Sequence, residues 1–231
     1  MNDVIGHSAL DIDRPMRRRG VDRLHLLLDA TEALLADHPN ANISLGQIAE
    51  RAGVPLSSVY HFLPNRNEAF VLLAKRFNAE FYEMATSAIS PAPESWQDLV
   101  AFKARNSAAF INSRPAALRL FLGAGVSVEV RSTHFVGDAT VAQSRVKLLE
   151  AYFHLPPVPD LATKIAMSIA LQDGIWALSY GRFGSIVPEF LSGSIEAAVA
   201  YLRCHLPAYL QPKTPTVEEL RAIDILSRHD A

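Results

Sequence analysis

The sequence predicts an all-α protein, and three observations carry that reading. Every segment with clear apolar periodicity repeats at three and four residues, the period of a helix. The segment ends carry helix punctuation, with Ser, Asp, Asn or Thr at the starts and Gly or Pro at the stops. No segment reads convincingly as a strand, and no repeat or low-complexity tract interrupts the pattern. The proline-marked break Ser90-Pro91-Ala92-Pro93 separates two units. Residues 1–16 read as a flexible tail, 17–88 as a three-helix unit with a connecting helix, and 89–231 as a larger helical domain.

The first helix is expected over about 17–36, with Leu24, Leu27, Leu28, Thr31, Leu34 and Leu35 on one stripe. His38-Pro39-Asn40 stops it. Ser44 followed by Gln47 is a capping-box start for the second helix, whose inner face is Ile48, Ala49 and Ala52. Small Ala49 lets another helix cross closely. Gly53 stands where the chain must turn sharply, because glycine takes the left-handed conformation without steric cost. Pro55 suits the first turn of a third helix, where no backbone donor is needed. Val59 and Phe62 return to the same small core. Leu56, Ser57, Ser58, Tyr60 and His61 are left facing outward. Pro64 closes this helix, and Asn65 with Glu68 caps a long one over about 66–88, lined by Ala69, Phe70, Leu73, Phe77, Phe81 and Met84.

In the second unit a helix is expected over about 94–113, carrying Trp96, Leu99, Phe102 and Phe110, and Pro115 opens a short one through Leu122. Gly123-Ala-Gly125 breaks the pattern. No strand precedes it and no third glycine follows, so it is no dinucleotide site. A helix over about 129–153 leads into the stiff connector His154-Leu-Pro156-Pro157-Val-Pro159. Asp160 then caps a helix to about Tyr180, ended by Gly181-Arg-Phe-Gly184, and a last major helix spans about 189–206. Thr216 with Glu219 opens a short terminal helix bearing Leu220, Ile223 and Leu226.

A helix, a glycine turn and a second short helix with an apolar inner face and a polar or aromatic outer face form a helix-turn-helix, which sets its second helix in the major groove of DNA. An ordinary helical hairpin is the bland alternative. Here the small Ala49, the turn glycine, four apolar positions and caps on both sides agree together. The segment Ile48-Ala49-Glu-Arg-Ala-Gly-Val54, then Val59-Tyr60-His61-Phe62, then Pro64-Asn65-Arg66 resembles the N-terminal domain of TetR/AcrR-family transcriptional regulators over about residues 17–80. That family usually reads Tyr-x-x-Phe-x-x-Lys followed by Glu. Leu63 stands in for the Phe, Arg66 for the Lys and Asn67 for the Glu, beside Glu68. The resemblance implies that outward residues of the third helix touch phosphates and base edges, and that Arg66 grips the backbone.

The candidate DNA-binding residues are Arg17, Arg18, Arg19, Ser44, Leu56, Ser57, Ser58, Tyr60, His61 and Arg66. Hydroxyls and amides near a helix start suit phosphate, and the Tyr60 ring suits a thymine methyl. Of these side chains Tyr60 is the one most able to pack internally instead. The net charge of −2 does not announce a nucleic-acid partner. Between Arg14 and Arg76, however, nine cations face six acids, and Arg17-Arg18-Arg19 cluster at the first helix start. Arginine is unfavourable at the positive end of a helix dipole, so an anionic partner explains the cluster better than stability does.

Catalysis finds little support. No zincin, Walker, paired-cysteine or Gly-x-Ser-x-Gly motif occurs, and the eight histidines have no metal spacing. No metal or other cofactor is expected. The single Cys204 excludes an intrachain disulfide, fits a reducing cytoplasm and reads as a small buried hydrophobe. Neither a membrane span nor a signal peptide is expected.

The second unit reads as a sensor and dimerisation domain. Its aromatics are mostly core, with Phe102, Phe110, Asp173 and Trp176 as candidates for lining a cavity for a small, largely apolar effector. Asp173, His134 and Gln172 are polar groups in apolar segments, so each needs a partner, either another side chain or the effector. A homodimer is expected through Ala162, Ala166, Ala170, Gly174 and Ala177 of one helix and Ile195, Ala198, Val199 and Leu202 of the next. The function these readings imply is a ligand-responsive regulator, a repressor released from a palindromic operator. The alternatives are a helical DNA-binding scaffold without an effector and, more weakly, an all-helical enzyme.

Overall fold

The computed structural model describes residues 18–37, 42–87, 89–219 and 223. The tail 1–16, Arg17, the breaker His38-Pro39-Asn40, Leu220 and Leu226 lie outside the described residues. Among the described residues, helix α1 is Arg18–Asp37, α2 Leu45–Ala52, α3 Leu56–Val59, α4 Arg66–Thr86 and α5 Trp96–Asn112. Helix α6, Pro115–Ala117, widens directly into a π-helical turn, Leu118–Leu122. Helices α7, Val128–Tyr152, α8, Leu161–Phe183, and α9, Pro188–Leu202, complete the set. The only β pairing among the described residues is an isolated antiparallel bridge, Phe153 to Pro212.

The caps explain most boundaries. Gln47 N–H donates to Ser44 Oγ, and the Gln47 carboxamide oxygen accepts from Ser44 N–H at 2.8 Å, a closed capping box. Asn65 Oδ1 accepts from Glu68 N–H at 2.9 Å, and Ser95 caps α5 by accepting from Asp98 N–H. Thr216 and Glu219 exchange both bonds of a capping box, and Lys213 pairs with Glu219 at 2.7 Å.

Four expectations are corrected. Pro55 is the N-cap residue of α3 and precedes its first turn. Asp160 does not cap α8 with its side chain. Its backbone is left-handed at φ 51°, which turns the carboxylate away from the free amides of the first turn. Helix α8 runs on through Gly181 and stops only at Gly184, whose φ of 72° suits glycine. Cys204 is exposed, because the buried side of α9 is Ser194, Ala198 and Leu202, and position 204 lies off that side.

One buried cluster runs from the N-terminal helices into the second unit. It joins Leu27, Leu35, Ile43, Ile48, Val59 and Leu63 to Leu73 and Phe77 of α4, then to Ala108, Ile111, Phe121 and Trp176. A second cluster, with Trp96, Leu99, Leu148, Tyr152, Leu161 and Leu202, closes the far end. There the chain after α9 is tied down. Trp96 Nε1 donates to Pro207 O, Gln97 Nε2 to Ala208 O, and Lys213 N–H to Tyr152 O.

Candidate functional site

The helix-turn-helix is built as its residues require. Gly53 sits at φ 65°, and the amide of Val54 donates to Ala49 O at 3.0 Å to close the turn. Ala49 is 4% exposed, so α3 crosses over a side chain with almost no bulk. Helix α3 is short, but helical hydrogen bonding continues past it, with Phe62 and Leu63 N–H both donating to Val59 O at 2.9 Å. Val59 and Leu63 are fully buried and anchor the segment, whereas Phe62 is half-buried. Phe62 packs against the same core as expected, and Leu63, in the position of the family Phe, joins Val59 as a fully buried anchor.

The outer face follows. Leu56, Ser57, Tyr60 and His61 are exposed and Ser58 half-buried. Tyr60 is 55% exposed, so its ring points to solvent and does not pack internally. Arg66 opens α4 just beyond, exposed, with its guanidinium 5.7 Å from the Phe70 ring centroid, a contact that orients the cation without neutralising it. Ser44 is exposed, but its hydroxyl is held by Gln47 at 3.0 Å. Arg19 is exposed on the first turn of α1, the side chain of Arg18 is outside the described residues, and so is Arg17. Arg51 is paired with Asp37 at 3.1 Å.

A cavity lies among α4 of the first unit and α5, the π turn, α7 and α8 of the second. The cavity is narrow, with room for little more than one or two water molecules. Asp173 and Trp176 line it, as expected. Phe102 and Phe110 do not. Phe102 packs on the far-end cluster, and Phe110 lies edge-on to Phe81 at 5.3 Å with the Arg114 guanidinium 3.9 Å from its ring centroid. Trp176 Nε1 is satisfied by Ser194 Oγ at 2.8 Å.

His134, Asp138 and Asp173 meet on one wall. His134 Nε2 lies 3.0 Å from Asp173 Oδ2 and 3.6 Å from Asp138 Oδ2. Phe121 stacks on the imidazole at 4.5 Å. Burial alone would lower the His134 pKa, but the Asp173 hydrogen bond and the two carboxylate charges outweigh it and raise it. Burial first, and then the charge of Asp173, push Asp138 up to about 7. The three ligand atoms lie within 4.8 Å of one another, a set able to hold a cation that sequence spacing did not reveal, since Asp173 comes from a different helix. The trio is also self-sufficient, because a shared proton offsets the crowded carboxylates.

Gln172 and Arg145 complete the lining. Both are buried, at 5% and 8% exposure, and Gln172 Nε2 and Arg145 Nε have no hydrogen-bond partner. Of the three polar groups that needed partners, His134 and Asp173 thus found each other, and Gln172 found none. Arg145 was missed by sequence reasoning, although a signal existed. It falls on the stripe Val141, Ala142, Arg145, Leu148, Leu149, a charge where the period demands an apolar residue.

No family model matches the chain, and no curated protein matches it. Solved structures do. A TetR-family transcriptional regulator from Streptomyces coelicolor aligns over 80% of this chain and 99% of its own, at 20% identity and a TM-score of 0.59. A TetR regulator from Rhodococcus sp. RHA1 aligns over 79% and 97%, at 19% identity and TM-score 0.58. SmeT, the repressor of the Stenotrophomonas maltophilia multidrug efflux pump SmeDEF, aligns over 80% and 91%, at 18% identity and TM-score 0.57. The chain therefore has the fold of TetR-family transcriptional regulators, with a helix-turn-helix at one end and a helical, cavity-bearing unit behind it.

Proposed function

We propose that this chain is a ligand-responsive, sequence-specific DNA-binding transcriptional regulator of the cytoplasm, a homodimeric repressor that leaves a palindromic operator when a small effector fills the cavity. The observation that carries the reading is the short helix after Gly53. Its inner residues Val59 and Leu63 are fully buried, while Leu56, Ser57, Tyr60 and His61 project with no partner surface in the protomer. The fold of SmeT, itself a repressor, supports the direction of control. No described helix is long and apolar enough to cross a membrane.

Dimerisation is supported by one face of α8. Met167, Leu171 and Leu178 are 52%, 43% and 51% exposed, with Ala170 and Gly174 exposed between them and Gly181 just beyond, at helical spacing. An apolar stripe of that length with small residues suits close antiparallel packing on a second copy. Ala198 and Leu202 are no part of it, since both are buried in their own protomer.

Control is supported by α4. Asn78 and Phe81 line the cavity, and Arg66, at the start of the same helix, lies about 18 Å along the axis by helical rise. A ligand that favours a shifted α4 moves the reading helices out of register with successive grooves. Couplings of about 1–3 kcal/mol suffice, since about 1.4 kcal/mol is tenfold in affinity. Footprinting on genomic DNA, beginning with the DNA flanking the gene, tests the reading. A protected palindrome is the expected outcome, and the absence of any protected site refutes it. The scaffold alternative expects DNA binding that no small molecule alters.

A further inference from the structure

The cavity contains a cation with nothing to neutralise it. Arg145 is buried, its Nε has no acceptor, and among the described residues no carboxylate pairs with it. Burial pulls its pKa down to about 10, which still leaves it protonated at neutral pH. Its charged neighbour is another cation, the buried Lys103, whose Nζ donates to Ser87 O at 2.8 Å. Burial and then Arg145 push Lys103 down to about 7, so the guanidinium is the lasting charge of the two. The nearby acids form no ion pair with it, although Asp138 stands two turns before it on the same face of α7. Asp138 and Asp173 are offset within their own trio and by Arg131. A buried, unpaired charge is costly, so such a group implies a partner that arrives from elsewhere.

The second orphan agrees in sign. Gln172 Nε2 is also a donor, also buried, and lines the same cavity. Two donors without acceptors ask for an acceptor-only group, and a carboxylate takes the forked guanidinium through two oxygens. The remaining wall is apolar and aromatic, with Phe81, Ile111, Phe121 and Trp176. One guanidinium balances one negative charge in a dry site. A doubly charged phosphate would be left uncompensated.

We infer that the effector is a small monocarboxylate with an aromatic or short aliphatic body, its carboxylate held by Arg145 and Gln172 and its body between Phe81, Phe121 and Trp176. This rests on the proposed ligand-responsive role and gives it a chemical class. It also replaces the expectation of a merely apolar effector.

The test uses the full-length protein and a matched probe set: phenylacetate, hydrocinnamate and hexanoate against their primary amides, read by thermal shift and calorimetry. Carboxylates are expected to bind at least tenfold tighter than the amides. Arg145→Met is expected to abolish that preference and to raise the melting temperature of the ligand-free protein, because a buried uncompensated charge is gone. Amides binding as well as acids, a preference that survives Arg145→Met, or no binding by any acid would each overturn the inference. If Arg145→Met does not fold, Gln172→Leu takes its place, with the preference expected to fall. A gel shift separates the inference from the role it rests on. Carboxylates that bind through Arg145 yet leave operator affinity unchanged would keep the ligand class and remove the regulatory reading.

Discussion

Single side chains carry the DNA-binding reading. Tyr60 is 55% exposed and lies outside the buried clusters, so Tyr60→Ala is expected to fold normally and to weaken operator binding. If Arg66 grips a phosphate as proposed, Arg66→Ala is expected to lower the slope of log affinity against log salt by about one, measured by gel shift across a salt series. The His134–Asp138–Asp173 trio makes a prediction of opposite character, about stability. Both His134 and Asp138 have their folded pKa raised above the unfolded value; the stability from His134 is lost above the ordinary imidazole range, and that from Asp138 is full below the ordinary carboxylate range and is lost as pH rises to about 7. Melting temperature should therefore fall across that range, and Asp138→Asn should flatten the dependence. A wild-type melting temperature that rises there would contradict the assignment. The groups facing the trio are Arg131, which tempers the carboxylates, and Phe121, which covers the ring. The sequence showed that His134 and Asp173 each needed a partner, but not that they would meet each other and Asp138. His134 and Asp138 share a helix face at four-residue spacing, but Asp173 arrives through the packing of α8 on α7.

Helix starts were legible at Ser44, Asn65 and Thr216, whereas Ser95 and Ser127, which cap α5 and α7 with their side chains, were missed. Nor were helix limits legible where backbone geometry decided. Asp160 has the right residue type for a cap and the wrong backbone angle. The segment after Pro115 reads as one helix, yet tertiary packing widens it at Leu118–Leu122 so that Phe121 reaches the imidazole of His134. Gly123 makes that turn possible. A Cβ there would stand 2.3 Å from Arg119 O, a backbone atom that cannot swing aside. Gly123→Ala is expected to destabilise the protein by about 1–3 kcal/mol, read by chemical denaturation. It should also loosen the two bonds from Arg131, to Phe121 O at 2.7 Å and to Gly123 O at 3.3 Å. Gly125 has open space around its Cβ position, but its φ of 80° still penalises a side chain.

For the whole molecule, the exposed stripe on α8 leads to a prediction about assembly. Leu178→Glu places a charge in the proposed seam and is expected to give a folded monomer by light scattering, with operator affinity lost because half-sites are no longer held together. Leu202→Glu would be uninformative, since it would damage the protomer's own core. The buried cluster that passes from Leu27 and Ile48 through Phe77 to Trp176 has a further consequence. Calorimetry is expected to show one cooperative transition, because no layer of solvent separates the two ends; two resolved transitions would disprove it. The reading head is then no detachable cassette. A chimaera cut at residue 88 would part Phe77 from Phe121, whose rings meet edge-on at 6.2 Å, so grafting this head onto a foreign sensor requires carrying the matching surfaces of α5, the π turn and α8 with it.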